Sequence, residues 1–152
     1  VNDPVDLRAM AQLALAAVAP AAQARSMDVG LLDSDAATVT GNAEAVRMLA
    51  RNLLDNAIKY SPPGGQVDLQ VRREGDHAVL TVEDSGPGIA PEHRERAMQR
   101  FVRVTADGAP GSGLGLAIVQ AIAQSHGATV ALDSSARLGG LRVTVRFAAA
   151  KP

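Results

Sequence analysis

The chain has 152 residues, a length that suits one domain with its own core, and its formal net charge is −1. It contains no basic run and no aromatic-rich basic patch, so we do not expect nucleic acid as a partner. The absence of cysteine excludes disulfides, thiolate chemistry and cysteine-based zinc sites.

Membrane and export segments are not expected in this chain. No apolar run approaches the roughly 20 residues of a membrane span, because the alanine-rich stretch 11–22 is short and contains Pro20. Residues 1–4 carry no basic segment and do not form a signal peptide. They are typical of a cut between domains, so we expect residues 1–152 to be one domain of a longer protein.

The first predicted element is a helix over residues 5–24, with Asp6 as its N-cap. Pro20 lies within it and predicts a kink or an early end, because proline lacks the N–H that a helix interior uses. Two short strands follow at residues 29–33 and 38–40. The residues expected on the buried face of the helix are Leu7, Met10, Leu13, Ala14, Ala17 and Val18.

The strongest helix pattern covers residues 42–60, with Asn42 as its cap. Asn52, Asn56 and Lys59 fall within about 60° of one helix face, with Tyr60 beside them. This row borders the apolar arc, which consists of Val46, Leu49, Leu53 and Ala57. Asparagine oxygens can join the shell of a hard cation, and a lysine ammonium offers a point charge to phosphate. An amphipathic helix with two solvated asparagines explains the same pattern.

A hairpin is predicted next, from alternating apolar residues at 67–71 and 78–82 around a turn at 74–76. The segment 83–89 that follows it, Glu-Asp-Ser-Gly-Pro-Gly-Ile, suits a pocket for a nucleotide base. Asp84 can accept a hydrogen bond from an exocyclic amine, and Gly86 and Gly88 let the backbone come close. A plain turn at the end of a strand uses the same residue types.

A short charged helix is predicted at residues 91–99, and the stretch 101–113 has no period, which predicts a mobile loop. Arg100 and Arg103 either reach a terminal phosphate from this region or are solvated loop charges. Strands at 129–132 and 141–147 close the chain, and a second strong helix is predicted at residues 114–125. The residues expected on the apolar side of this helix are Leu116, Ile118, Val119 and Ile122.

A glycine-rich segment opens that second strong helix, and it reads Gly111, Ser112, Gly113, Leu114, Gly115 and Leu116. Backbone N–H groups at the start of a helix can bind an anion, although a flexible hinge would carry the same glycines. The segment is not a P-loop, and Leu116 stands where the dinucleotide fingerprint needs its third glycine.

The predicted elements sum to about three main helices and five or six strands without strict βαβ alternation. Such an order favours an α+β fold of two layers, in which helices cover one face of a sheet.

In order and spacing, these segments resemble the ATP-binding catalytic domain of bacterial sensor histidine kinases. That family belongs to a superfamily with the gyrase, heat-shock chaperone and mismatch-repair ATPases. The matching segments are residues 52–62 for the N box, 84–89 for the first glycine box, 100–103 around the lid phenylalanine, and 111–116 for the second glycine box.

The resemblance implies a two-layer α/β sandwich, with a mixed sheet of about five strands under three helices and a flexible lid near residues 101–113. It implies that Asn56 and Asn52 face Mg²⁺ and the phosphates of ATP, and that Asp84 accepts the adenine amino group. The implied phosphate contacts and catalytic residues are Lys59, Arg100 and Arg103, and Tyr60 and Ile89 flank the adenine. The implied nucleotide contacts also include the two glycine boxes, namely Gly86, Gly88, Gly111, Gly113, Leu114, Gly115 and Leu116.

The chain departs from the family pattern at three points. Gln99 replaces the usual acid before Arg100, and Leu141 replaces a Ser or Thr that helps hold water at the adenine. No histidine lies in the motif of a phosphoacceptor helix, so we expect His77, His93 and His126 to be solvated surface residues. The phosphoacceptor and sensor domains are therefore expected on other parts of the protein.

The resemblance thus predicts transfer of the γ-phosphoryl group of Mg·ATP to a histidine on a separate domain of the same sensor. A response regulator would be an indirect partner, and the domain would lie in the cytoplasm as part of a membrane-anchored sensor. Three alternatives remain at this stage: a gyrase-type ATPase, a serine kinase of a regulatory protein, and a module that senses nucleotide without catalysis. Gyrase-type enzymes carry a general-base Glu where this chain has Asn52.

Overall fold

The computed structural model describes residues 3–86 and 112–149, and of residues 112–116 it describes the backbone alone. This part of the chain contains three helices, namely α1 (Leu7–Ala24), α2 (Ala43–Tyr60) and α3 (Ser112–Ser125). It contains seven strands, namely β1 (Asp3–Asp6), β2 (Asp28–Leu31), β3 (Thr38–Gly41), β4 (Gln66–Glu74), β5 (His77–Asp84), β6 (Thr129–Ser134) and β7 (Leu141–Ala148).

Five of these strands form one mixed sheet in the order β2-β4-β5-β7-β6, and β1 and β3 form a separate antiparallel pair. Within the large sheet β2 runs parallel to β4, and the other neighbours are antiparallel. The helices pack on one another and on one face of this sheet. The largest fully buried side chains between the layers include Leu49, Leu53, Leu69, Leu80 and Phe147. The predicted α+β sandwich with a five-stranded sheet under helices is confirmed.

Helix α2 forms as its sequence predicts. The Asn42 side chain accepts a hydrogen bond from the backbone N–H of Ala45 at 2.9 Å, which satisfies one of the unpaired donors at the helix start. The helix ends at Tyr60, and Ser61 is extended, as expected for a residue before proline. The predicted apolar arc of α2 is fully buried against the other layers of the fold.

The first helix is shorter than predicted, because residues 3–6 form strand β1 rather than helix. Val5 is buried and pairs with Val39 across the small sheet. This pairing joins residues 34 positions apart, and four residues carry too little periodicity to predict it from sequence. Asp6 nevertheless caps α1 as expected, since its side chain accepts from the N–H of Ala9 at 3.1 Å.

Pro20 does not end α1, which continues to Ala24, so the predicted early end is wrong. Pro20 and Ala16 both lie on the exposed side of the helix. The Ala16 carbonyl, which loses its usual partner at a proline, is therefore open to water. Val18 and Ala22 are buried on either side of Pro20, and their packing holds the last turn in place.

Three residues expected on buried helix faces are exposed instead, and Ala17 on α1 is one of them. Leu13 on α1 is 52% exposed, and Ile118, which we expected on the apolar side of α3, is 39% exposed. The buried stripe of α1 consists of Leu7, Ala11, Ala14, Val18 and Ala22. At 100° per residue, Leu13 and Ala17 lie outside this stripe and therefore face away from the core.

Helix α3 begins at Ser112, two residues before its predicted start, so the end of the predicted loop 101–113 is helical. The rest of that loop and the predicted helix 91–99 lie outside the described residues. None of the helices in the described ranges combines the length and apolarity that crossing a bilayer requires.

His126 is not a solvated surface histidine, contrary to our expectation, although His77 is exposed as predicted. The His126 Nε2 atom accepts a hydrogen bond from the backbone N–H of Asn42 at 3.1 Å. Its Nδ1 lies 2.8 Å from the carbonyl oxygen of Ile122, and its ring meets Phe147 edge-on at a centroid distance of 6.3 Å. The end of α3 is thereby tied to the start of α2. Sequence alone did not indicate a contact between residues this far apart.

We expect Gly41→Ala to lower the free energy of unfolding by about 1–2 kcal/mol, because the added methyl group would overlap the His126 ring. Relief requires the ring to rotate, which breaks its bonds to Asn42 and Ile122. Urea denaturation measures the change, with Gly30→Ala as the control, since a Cβ there meets nothing within 4 Å. In a His126→Ala background the Gly41→Ala penalty should largely disappear, and a persistent penalty would contradict this explanation.

Candidate functional site

Three segments distant in sequence meet around Asp84, at the end of β5. They are the C-terminal end of α2, the turn 84–86, and the start of β7. A Cβ atom placed on Gly86 would stand 3.0 Å from the backbone oxygen of Tyr60, 3.1 Å from Ser61 Oγ and 3.2 Å from Asp84 Oδ1. The end of α2 therefore lies against the turn 84–86, and the two segments can pack this closely because Gly86 has no side chain.

The Asp84 carboxylate is fixed by backbone donors on two sides. Its Oδ1 atom accepts from the N–H of Gly86 at 2.9 Å and from the N–H of Leu141 at 3.2 Å. Within the described residues both bonds go to Oδ1, so Oδ2 keeps its capacity to accept. The residue is only 8% exposed. Burial raises the pKa of Asp84 above its ordinary value of 3.8, and the two backbone bonds partly oppose that rise.

Gly140 approaches this turn so closely that no side chain fits there. A Cβ on Gly140 would overlap Asp84 Oδ1, the Asp84 carbonyl oxygen and the Gly86 nitrogen. Our sequence reasoning did not assign Gly140 to the site, although its position in a Gly-Gly pair before β7 was a usable signal. Leu141, noted as a departure at the adenine, contributes its backbone N–H to Asp84 instead of a side-chain hydroxyl.

The polar row of α2 lies on the rim, as its spacing predicted. Asn52, Asn56 and Tyr60 are half-buried, and Lys59 is exposed with its Nζ 5.6 Å from the centre of the Tyr60 ring. Asn52 Nδ2 donates to the carbonyl oxygen of Met48 at 2.8 Å, which leaves the Asn52 side-chain oxygen as the acceptor of this side chain. Asn56 and Asn52 lie about 6 and 12 Å back along the helix axis from Tyr60. A row of oxygen acceptors thus leads away from Asp84 along α2.

Two buried polar atoms at the end of α2 have no hydrogen-bond partner among the residues that the structure describes, namely the Tyr60 hydroxyl and Ser61 Oγ. Buried polar groups without partners are rare in folded proteins, and they call for a water or a ligand. Arg25 fixes this end of the helix, because its Nη2 donates to the Ser61 carbonyl oxygen at 2.6 Å. Ser61 is not among the predicted site residues, since serine before proline is typical of turns.

The second glycine-rich segment reaches the same region through α3. Helices α2 and α3 pack against each other, and His126 holds the end of α3 at the start of α2. The two helices are therefore antiparallel, so the first turn of α3 lies nearer the second half of α2. The backbone of that turn includes Gly113, Leu114, Gly115 and Leu116, whose side chains are not described. Its N–H groups suit an anion.

Five predicted site residues lie outside the described residues, namely Gly88, Ile89, Arg100, Arg103 and Gly111. Their assignment stays a prediction. Within the described ranges no group of three or more His, Cys, Asp or Glu side chains could hold a metal ion. The site offers neutral amide oxygens from Asn52 and Asn56, which suit Mg²⁺ when its other ligands are phosphates and waters.

Residues 41–151 match the family model described as histidine kinase-, DNA gyrase B-, and HSP90-like ATPase. Among curated proteins, the chain is 39% identical over 137 residues to the signal transduction histidine-protein kinase/phosphatase MprB of Mycobacterium ulcerans. It is 40% identical over 144 residues to the sensor protein QseC of Salmonella typhi. These matches cover 89% and 94% of this chain but only 26% and 31% of the relatives. The chain therefore spans less than a third of their length.

Solved structures give the same picture for the fold. A mycobacterial sensor histidine kinase MprB structure superposes with a TM-score of 0.87 at 31% identity, covering all of both chains. The ATP binding domain of PrrB from Mycobacterium tuberculosis superposes with a TM-score of 0.80 at 28% identity, covering 99% of this chain and 98% of its own.

Proposed function

The chain belongs to the family of histidine kinase-, DNA gyrase B-, and HSP90-like ATPases, and we propose that it is the ATP-binding catalytic domain of a two-component sensor histidine kinase. The observation that carries this proposal is the fixed Asp84 carboxylate at the end of α2, with a row of neutral oxygens leading away from it. One end of this arrangement suits an adenine and the other suits phosphates.

The end of the proposed site that binds the base recognises adenine by hydrogen bonding. Asp84 Oδ2 accepts from the exocyclic amine of adenine, while Gly86 and Gly140 let the base approach the backbone. Tyr60 and Ile89 flank the ring. The hydroxyl of Ser61 lies close enough to Asp84 to share a bound water with it, and this would satisfy its unpaired Oγ.

The phosphate end relies on α2, the first turn of α3 and the predicted lid. Asn56 and Asn52 would hold Mg²⁺ together with the phosphates, and the ion supplies neutralisation of their negative charge when bound. Lys59 contacts a phosphate from the exposed edge of α2. Arg100 and Arg103 contact the terminal phosphate, and the glycine-rich start of α3 offers backbone N–H groups.

In the proposed reaction a ring nitrogen of an acceptor histidine attacks the γ-phosphorus of ATP. The bond between that phosphorus and the β–γ bridging oxygen breaks, ADP leaves, and the imidazole proton passes to solvent. Catalysis of phosphoryl transfer consists mostly of positioning and charge stabilisation, so this domain needs no nucleophile of its own.

The remaining partners follow from this function. We propose that the whole chain is one catalytic domain, and that the acceptor histidine lies on a separate domain of the same sensor. A response regulator then receives the phosphoryl group from that histidine, so it is an indirect partner. The domain would work on the cytoplasmic side of a membrane-anchored sensor.

The test is a transfer assay with γ-labelled ATP, Mg²⁺ and a purified domain that carries the acceptor histidine of the parent sensor. We expect the label to move to the acceptor domain and to be acid-labile and alkali-stable, as a phosphoramidate is. An acceptor domain with His→Gln at the acceptor position is the control. Binding of ATP without any transfer to the intact acceptor would contradict the kinase function.

A further inference from the structure

The face of the large sheet away from the helices carries a pair of acids. Asp68 on β4 and Glu83 on β5 are direct cross-strand partners, and the apolar residues that alternate with them face the helices. The side chain of Asp68 is only 7% exposed and that of Glu83 is 17% exposed. Like charges placed opposite each other destabilise a sheet, so this pair needs a compensating cation.

The turn between β6 and β7 supplies that cation. Arg137 Nη2 donates to Asp68 Oδ2 at 2.6 Å and lies 3.9 Å from Glu83 Oε1. Ser135 Oγ donates to Glu83 Oε2 at 2.7 Å and accepts from the N–H of Leu138 at 3.0 Å. Gln66 Nε2 lies 3.2 Å from each Asp68 oxygen. The acid pair is therefore covered by residues of one turn and one neighbouring side chain, and Arg137 balances one of its two negative charges.

The same turn is closed on itself and ends at the candidate site. The N–H of Ser135 donates to the Gly140 carbonyl oxygen at 2.7 Å, and the N–H of Gly139 donates back to the Ser135 carbonyl oxygen at 2.8 Å. Beyond this closed turn, Gly140 packs on Asp84 and Leu141 donates its N–H to Asp84 Oδ1. Contact with the acid pair at one end of the turn is thus coupled to contact with Asp84 at the other.

We propose that Arg137 is a positioning residue for recognition of the nucleotide base. By holding the turn 135–140 on the acid pair, it keeps Gly140 and the Leu141 N–H against Asp84. This inference rests on the proposed function, because it assumes that Asp84 contacts the base. Arg137 itself lies on the open face of the sheet and does not touch the ligand.

Arg137 and Asp68 are unequally buried, and this explains why the loss of Arg137 would displace the turn. Removing Arg137 leaves the buried Asp68 charge unpaired beside Glu83, and such a charge draws water in rather than staying dry. Without Arg137 the turn also loses its ion pair with Asp68, which frees the turn to lift from the sheet. A lifted turn breaks the Leu141 bond and frees the Asp84 carboxylate to rotate away from its orientation for the base.

Arg137→Met tests the proposal, with Arg146→Met as the matched control. Arg137 and Arg146 are similarly exposed, at 48% and 42%, but Arg146 pairs with Glu74, which is itself 49% exposed. We expect Arg137→Met to weaken ATP binding by about tenfold and to reduce the preference for ATP over GTP. Arg146→Met should change neither the affinity for ATP nor this preference. Maximal transfer rate at saturating ATP should change much less than the affinity.

Two further variants separate positioning from a general loss of stability. Adding Asp68→Asn and Glu83→Gln to Arg137→Met removes the repulsion, so ATP affinity should largely return. Arg137→Lys offers a single ammonium group instead of a planar guanidinium, so its ATP affinity should lie between those of the wild type and Arg137→Met. Equal ATP affinity and equal ATP/GTP preference in folded Arg137→Met and wild type would overturn the proposal.

Hydrogen exchange at the Leu141 amide gives a readout that does not depend on nucleotide. We expect faster exchange in Arg137→Met and unchanged exchange in Arg146→Met. If the wild type bound no ATP, the proposed function would fail, while this measurement would still test the coupling within the turn. An unchanged exchange rate of the Leu141 amide in Arg137→Met would also overturn the proposal, whatever the change in ATP affinity.

Discussion

Asp84→Asn is expected to weaken ATP binding by about 10–100-fold while the fold is retained. The asparagine oxygen can keep the two backbone bonds from Gly86 and Leu141, so its amide nitrogen must take the place of Oδ2. A donor then faces the donor amine of adenine. Leaving such a buried group unpaired costs about 1–3 kcal/mol.

The same assignment predicts discrimination between nucleotides. GTP carries an acceptor where ATP carries its amine, so the wild type should prefer ATP and Asp84→Asn should lose most of that preference. A competition titration measures both affinities. Asp133→Asn is the control, because Asp133 is an exposed acid that pairs with Arg142 on the sheet edge. Equal affinity of the wild type for ATP and GTP would refute the role of Asp84.

Because the pKa of Asp84 is raised, both the stability of the fold and the affinity for ATP should depend on pH. Burial places its folded-state pKa above the unfolded value of 3.8, so the folded state binds the proton more tightly. The contribution of this group to stability is therefore largest below 3.8 and decreases as pH rises through the folded pKa. Asp84→Asn should be at least as stable as the wild type at pH 7. ATP affinity should fall as the carboxylate is protonated, and Asp84→Asn should lack that component.

By itself the chain is expected to bind ATP but to hydrolyse it about 10²–10⁴-fold more slowly than a site with a positioned carboxylate base. Asn52 stands where the gyrase-type enzymes carry that base, and an amide does not accept a proton at ordinary pH. Its Nδ2 donates a hydrogen bond to the Met48 carbonyl oxygen, so the side-chain oxygen remains as a neutral acceptor. Water near the γ-phosphate would therefore lack activation.

Phosphate release measured with Asn52→Glu and Asn52→Gln tests this explanation. Both variants lengthen the side chain by the same amount, but only Glu can act as a base. We expect Asn52→Glu to raise hydrolysis and Asn52→Gln to leave it low. Steady hydrolysis by the unmodified chain at about 1 s⁻¹ or faster, the range of ordinary enzymes, would favour the ATPase function over the kinase.

The sequence by itself determined the elements whose signals are local. The cap at Asn42, the apolar arc of α2 and the alternation in β4 and β5 each lie within one element, so these signals predicted the type and place of each element, although both strands extend beyond their predicted bounds. The polar row at Asn52, Asn56 and Lys59 was likewise predictable, because helix geometry alone places those residues on one face. Asp84 was predicted as an acceptor from its place after a strand and before glycines.

Only the tertiary structure decided which distant residues complete the site. Arg137 contacts Asp68 from 69 positions away, and the Leu141 N–H reaches Asp84 from 57 positions away. Strand β1 and the His126 contact depend on similar long-range pairing. Such contacts leave no periodic pattern in the sequence, since each of these residues is of a type that is common in turns or at the ends of strands and helices. The contacts of Arg137 and Leu141 form only when the sheet order β2-β4-β5-β7-β6 brings the β6–β7 turn over β4 and β5.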